Sequence, residues 1–322
     1  MIPAFAILAD GADATAKIAD RLLSLEITDE DGERADSLRL ELDDRDGRIA
    51  WPDMQAELEV RLGYLGGALS MMGRYRIEGL SGGGPRMTLS IDAKAIDMKG
   101  QARGPRTRAW RGKTLGDIVA TIAGEAGLKP VVGESIAGTA WDYLAQTAES
   151  DLHFLARITK PLDATAKPAG AALIVQRRGE GKTAAGDTIS PVALTPAELS
   201  AWRWTLNGRQ KYLCVEAAWS DIGAGQERLV VCGEGEPKRR LRHVYASEAE
   251  ARRAAQGELD QGNREALKLS ADLAGFNPGL FAGGTVSLSG LRAELAGEWQ
   301  VTRVAHRLSG GLATSFDARR AG

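Results

Sequence analysis

Cysteine occurs twice in this chain of 322 residues, as Cys214 and Cys232. Two thiols are too few for a disulfide framework, so a stapled secreted mini-fold is excluded and a reduced, buried pair in a cytoplasmic product is expected. Histidine is nearly as scarce: His153, His243 and His306 lie far apart, and no two have a zinc-binding spacing. No apolar stretch reaches the roughly 18 residues that cross a bilayer, so no membrane anchor is expected. Met1 to Asp10 has no basic segment ahead of its short apolar run, unlike a signal peptide. Charge of neither sign dominates. The net value of −2 supplies no general attraction to nucleic acid or anionic lipid. Aromatic residues are few, yet seven of them are Trp.

Alternation is plentiful. Leu23, Leu25 and Ile27 alternate with polar residues, as do Leu38, Leu40 and Leu42, then Leu58, Val60 and Leu62, then Tyr75 and Ile77, then Leu89, Ile91 and Ala93. Period two with one apolar face marks half-buried antiparallel strands. Many glycines between such runs predict a sandwich or barrel. Residues 1–105 are therefore expected to form a first β-barrel domain. Leu38, Leu40, Leu42, Leu58, Val60, Leu62, Leu89 and Ile91 should face one interior, while Arg39, Glu41, Glu59 and Arg61 face out or line a channel.

The pattern then changes. Residues 101–113 are basic and marked by Pro and Gly, like a linker. Thr114 and Asp117 form a capping-box variant, and Leu115, Ile118, Val119, Ile122 and Ala123 fall on one helical face. A second helix is expected from Ser150, carrying Leu152, Leu155 and Ile158, and a strand over 171–176. Residues 106–195 thus read as a small α/β domain. Strands return over 196–322, with a helix opened by the capping box Ser247–Glu250 and expected to stop at Gly262-Asn263. The fold class is a β-rich α+β chain: two antiparallel β-barrel domains with an α/β domain between them.

The two β regions share a repeat. GRYRIEGLSGGGPRMTLSIDAK, from Gly73, and GEWQVTRVAHRLSGGLATSFDAR, from Gly297, both place an aromatic residue, a β-branched residue and a Ser-Gly-Gly turn in order. They close on Ile91-Asp92-Ala93-Lys94 and Phe316-Asp317-Ala318-Arg319. Duplication accounts for this better than chance likeness between hairpins.

Motifs that carry chemistry fail on inspection. Gly179–Thr183 looks like the end of a phosphate loop, but Gln176 stands where its first Gly belongs and no helical pattern follows. Asp44-Arg45-Asp46-Gly47 opens like a calcium loop, but Gln55 occupies the position of the bidentate acid; an Asp-Gly turn is the better reading. No Gly-x-Ser-x-Gly elbow occurs. Lys238–His243 is the densest basic run, without interleaved aromatics to stack bases, and reads as a loop or a protein contact rather than a nucleic-acid site. No catalytic residue, metal ligand or cofactor site is assigned.

Several segments in order resemble the late control D family of phage tail proteins, relatives of the VgrG hub region of type VI secretion. They are Asp43–Pro52, including Asp46, Gly47, Trp51 and Pro52; Glu57–Tyr64; Met72–Tyr75; Thr114–Ala123, including Leu115 and Asp117; and Glu149–Leu155, including Ser150, Asp151, His153 and Phe154. Those residues, with Trp110, are the candidate motif or interface positions. The resemblance implies two tube-like barrels with an α/β insertion, a homotrimer around a channel, and a hub between a hexameric tail tube and a trimeric spike. It implies no enzyme activity and no cofactor. Its expected partners are the tail tube protein, a spike protein and other baseplate proteins, and its location the virion tail after assembly in the host cytoplasm. Unlike the VgrG relatives, the sequence ends at Gly322 directly after the second β region, so a separate spike protein is expected. The rival expectation is a tail-associated cell-wall hydrolase, or a peptidoglycan-binding module in residues 106–195.

Overall fold

The computed structural model describes residues 1–31, 35–96, 104–169, 172–177, 190–208 and 212–320. The chain opens with β1 (Pro3–Ala9), the short β2 (Ala12–Asp13) and one helical turn, α1 (Thr15–Ile18). Then come β3 (Leu22–Glu30), β4 (Ser37–Asp43), β5 (Glu57–Tyr64), β6 (Ser70–Gly83) and β7 (Thr88–Ala95). The middle contains β8 (Arg106–Thr114), α2 (Leu115–Glu125), β9 (Lys129–Val132), α3 (Glu134–Ala137), β10 (Ala140–Glu149), α4 (Asp151–Thr159), β11 (Ala164–Ala169) and β12 (Ala172–Arg177). It continues through β13 (Val192–Leu194), β14 (Leu199–Leu206), β15 (Cys214–Asp221), β16 (Gln226–Gly233), β17 (Lys238–Tyr245) and α5 (Glu248–Ala266). The last strands are β18 (Leu267–Leu273), β19 (Thr285–Leu288), β20 (Gly297–Leu308) and β21 (Leu312–Arg320).

Both β regions join one 13-stranded sheet, ordered β14-β18-β21-β20-β3-β4-β7-β6-β5-β1-β2, with β19 beside β20 and β13 beside β19. The joint is β20 against β3, antiparallel from Arg303 opposite Glu30 to Leu308 opposite Leu25. Two closed barrels were the expectation; the described strands instead form one open path that runs through both regions. The alternation sets its faces. Leu38, Leu40, Leu42, Leu58, Val60, Leu62, Leu89 and Ile91 are all buried in one cluster with Leu25, Ile27, Tyr75 and Ile77. Each such side chain contributes about 1.5–3 kcal/mol by leaving water. Arg39 and Arg61 are exposed and Glu41 and Glu59 half-buried on the opposite face. The second region has its own cluster around Trp299, Val301, Val304, Phe316 and Leu269.

The order of strands repeats. The first region reads β3-β4-β7-β6-β5-β1 and the second β14-β18-β21-β20-β19-β13. Taking Ile91–Lys94 as the counterpart of Phe316–Arg319, the registers coincide. The pairing of β6 with β7 shifts between Ile77 and Gly79, and that of β20 with β21 between Val301 and Arg303. Gln55 N–H and Ala56 C=O bond the carbonyl and amide of Ile77, as those of Gly283 and Gly284 bond Val301. One strand breaks the parallel: β1 runs antiparallel to β5, whereas β13 runs parallel to β19.

Two smaller units leave the sheet at the same end, beyond the β3–β4 turn. Residues 106–177 form a β8–β10 ladder and a β9–β12–β11 sheet around a core of Trp110, Leu115, Ile118, Ile122, Phe154 and Leu155. Residues 214–266 form the sheet β16–β15–β17 with α5 packed on Val215, Ala217 and Val230. Strands β15, β16 and β17 thus form a separate sheet within the 196–322 region, which was expected to be one barrel. Three further expectations change. Residues 106–113 are strand β8, not linker, because Arg106 and Arg108 are held in ion pairs while Trp110 turns inward. The basic run at 238–243 is strand β17, not loop. Helix α5 passes Gly262 and Asn263 because Arg264 forms a buried ion pair with Asp163 and Ala266 is buried, and these hold its last turn. The Gly179–Thr183 segment lies outside the described residues.

Candidate functional site

The predicted interface residues fall in two places. Asp46 and Gly47 close the turn after β4. Gly47 donates its N–H to the Asp44 carbonyl at 2.8 Å and adopts φ +62°, where a side chain would be strained. Arg21 grips Asp46 with two bonds of 2.7 and 2.8 Å. That contact holds the Asp46 carboxyl far below the usual carboxylate range. Trp51 is 76% exposed, beside the half-buried Pro52. The calcium-loop spacing therefore resolves as a turn braced by an arginine.

The second group gathers in the middle unit. Thr114 and Asp117 cap α2 reciprocally, which lowers the Asp117 pKa through its bond from the Thr114 backbone. Leu115 sits fully buried below. Ser150 caps α4 by accepting from the His153 N–H at 3.2 Å, and the His153 side chain is exposed. Phe154 stacks on Trp110 with ring centroids 5.8 Å apart. Asp151 is buried and accepts 2.6 Å from Arg108 and 2.8 Å from Gln146. Arg108 also covers the Trp110 ring at 4.4 Å. These residues fix β8, β10, α2 and α4 to one another. Trp110, Leu115, Asp151 and Phe154 are buried within the unit, whereas Asp117 and His153 lie on its surface.

Two features escaped the sequence reading. The first is an ionic joint between the middle unit and the large sheet. Lys167 of β11 donates to Asp29 at 2.5 Å, to Asp36 at 3.0 Å and to the Glu30 carbonyl at 2.9 Å. Burial and the neighbouring Asp29 raise the Asp36 pKa to about 6. Burial alone would lower the Lys167 pKa; the two carboxylates more than offset it, and the pKa is raised. A cavity of about 780 Å³ flanks this joint, bordered by Met72, Tyr75 and Pro168.

The second feature is the open edge at β14. Among the described residues this strand has one neighbour, β18. Trp202 faces Ala271 and Trp204 faces Leu269, so both lie on the core side of the sheet, yet they are 44% and 42% exposed. By register their counterparts on β3 are Leu25 and Ile27, exposed only 0% and 2% because β20 covers that edge. The alternation of Trp202 and Trp204 was visible in the sequence, but nothing there told a covered strand from an open one.

An open sheet edge with half-exposed tryptophans is a template for pairing with another chain, a feature of the class of proteins that assemble. The comparisons narrow that class. The sequence profile of the phage tail baseplate hub (GPD) family matches residues 67–312, and the chain belongs to this family. A probable baseplate hub protein of Escherichia phage P2 is 27% identical over 359 aligned positions, covering 98% of this chain and 93% of that protein. The 43 kDa tail protein of prophage MuSo2 from Shewanella oneidensis shares the fold at TM-score 0.74 and 14% identity, covering 99% of this chain and 98% of its own. The E. coli c3393 protein superposes at TM-score 0.55 and 14% identity over 94% of this chain and 74% of its own; it is described as a type VI secretion component similar to the T4 tail proteins gp27 and gp5. The protein is thus a structural component of a phage virion tail, at the baseplate hub, and associates with other tail components.

Proposed function

We propose that three copies of this chain form a ring of six sheet units that joins a hexameric tail tube to a trimeric spike supplied by a separate protein. The observation that carries this reading is the repeated strand order, with its shared register break at Ile77 and Val301. Two duplicated units per chain turn a threefold ring into a pseudo-sixfold one, which reconciles the two symmetries. The ends of the sheet differ in the way such a role requires. At one end the β6–β7 turn, 84–87, and its counterpart between β20 and β21, 309–311, are both short, and a sixfold partner would meet six similar contacts there. At the other end emerge the 106–177 and 214–266 units, each present once per chain, which suit a threefold partner.

The test is native mass of the purified chain, alone and with the spike and tube proteins of its own tail. A trimer that binds both supports the proposal. A monomer or dimer inside assembled tails refutes it. The rival role in the cell wall has its own readout: release of soluble fragments from purified walls reveals a hydrolase, and pelleting with them reveals a binder.

A further inference from the structure

The geometry points to a specific joint between copies: β14 of one chain adds as a strand to β6 of the next, and Trp202 and Trp204 lie over the glycines of that strand. This inference rests on the ring proposed above and assigns its contacts. Its template lies within the chain. β20 is covered on one side by β21 and, over Arg303–Leu308, on the other by β3. The counterpart of β20 is β6, whose segment Gly79–Gly83 pairs with β7 on one side and has no strand on the other among the described residues. The counterpart of β3 is β14, which likewise lacks a neighbour on its outer side. Each chain therefore has one filled joint and the two complementary halves of an unfilled one.

The register follows from the template. Ile27 stands opposite His306, Asp29 opposite Val304, and Thr28 opposite Ala305. Their counterparts are Trp204, Leu206 and Thr205 on β14, and Gly82, Leu80 and Ser81 on β6. Trp204 then faces Gly82, Leu206 faces Leu80, and Thr205 faces Ser81. Trp202 corresponds to Leu25 and faces Gly84, just past the strand. The bulk is complementary. The filled joint sets Ile27 and Leu25 against His306 and Leu308, whereas the unfilled one sets two indoles against two residues without side chains. Gly82 is required for its own reasons too, since a Cβ there would lie 2.5 Å from the Thr88 carbonyl oxygen. Leu206, 64% exposed, would gain Leu80, itself half-buried beside the first core. Main-chain bonds would supply the affinity and the tryptophans the register, as in other strand additions. An apolar, unpaired edge is otherwise an aggregation hazard.

Facing residues of paired strands have Cβ atoms about 4.5–5.5 Å apart, within reach of a short bifunctional thiol reagent. Cys214 and Cys232 are both buried, so introduced thiols dominate labelling. A chain with Thr205→Cys and Ser81→Cys is treated with the reagent, both purified and in tail particles. The expected product on a denaturing gel is a covalent species stopping at three chains, absent from either single variant. A separate chain with Trp202→Arg and Trp204→Arg should weaken self-association on the order of 100-fold. Its monomer should unfold as the parent does, since both sites are half-exposed. A native trimer without the cross-link, or one indifferent to the Trp substitutions, would overturn this joint and leave the trimeric hub standing. A ladder running past three chains would uphold the joint and refute closure at three. Absence of intermolecular cross-links in both purified protein and tail particles would end the inference.

Discussion

Asp36→Asn isolates the cost of placing two carboxylates around one ammonium. Lys167 reaches both Asp29 and Asp36, so the joint carries a surplus negative charge when all three groups are ionised. The Asp36 pKa stands near 6 against an ordinary value of 3.8. That difference is worth about 3 kcal/mol, at roughly 1.4 kcal/mol per unit, and the side chain is only 24% exposed, which limits screening by solvent. Because the folded-state pKa is raised, the folded chain keeps a proton that the unfolded chain has already released between about pH 4 and pH 6. Stability from this residue therefore falls as pH rises through that window and is flat above it. Asparagine keeps an oxygen for the Glu30 N–H and for Lys167 but cannot ionise. The variant should match the wild type near pH 4 and exceed it by about 1–3 kcal/mol near pH 7.5. Urea titrations of both proteins across this range supply the numbers as midpoint shifts multiplied by the slope. Taking the difference cancels the other carboxylates, among them Asp46 and Glu294, whose pKa values move the opposite way. A difference that does not change with pH, or one that turns against the variant as pH rises, would refute the reasoning.

Leu40→Ala empties a fully packed site in the first core and should cost about 2–5 kcal/mol in urea unfolding. Asp151→Ala leaves Arg108 and Gln146 without their buried acceptor; a loss of about 3–5 kcal/mol is expected, with near-ultraviolet circular dichroism reporting the loosened Trp110–Phe154 stack. Gly257→Ala places a Cβ 2.5 Å from the Pro161 carbonyl oxygen. Backbone must move there, so amide exchange should quicken in α5 and around Pro161 while β3 and β4 stay protected.

Most of the sheet was legible because its alternation is unbroken: Leu38, Leu40 and Leu42 leave one register that buries them, and a slip by one residue would expose all three. Two of the hidden strands have arginines among their outward residues. Arg106 and Arg108 in β8, and Lys238 to Arg242 in β17, resemble a linker and a loop until Glu125, Asp151 and Glu258 are found opposite them. Joints between distant segments left no local trace. Nothing near Lys167, in a strand of alanine and proline, announces that Asp29 and Asp36 await it, and nothing near Leu25 names Leu308. The candidate site divides the same way. The turn at Asp46-Gly47 and the caps at Thr114 and Ser150 obey rules that operate within a few residues. The stack of Trp110 on Phe154 needs the whole middle unit, since its two rings meet only when β8 and α4 pack together.

The divergence of the two units follows from how each joint is made. The β3–β20 joint forms within one chain, where the effective concentration of its halves is high. Modest side chains suffice there: Leu25 and Ile27, with Arg303 lying 3.4 Å from Glu30 and 3.9 Å from Glu26. A joint between chains must form by mass action and overcome the loss of translational freedom. Larger apolar groups are needed to do so, and β14 carries Trp202, Trp204 and Leu206 where β3 carries Leu25, Ile27 and Asp29. The receiving strand changes in the opposite sense, to Gly79, Gly82 and Gly83 where β20 has Arg303, His306 and Arg307. A glycine edge presents little apolar surface while it waits, and so holds down mispairing of the free subunit. The tryptophans sit on a strand whose central residue is Arg203, a charge that also disfavours pairing of β14 with another β14, since the same residue would recur across such a contact. The proposed joint would thus turn one repeated contact into a permanent seam within the chain and an assembly contact between chains.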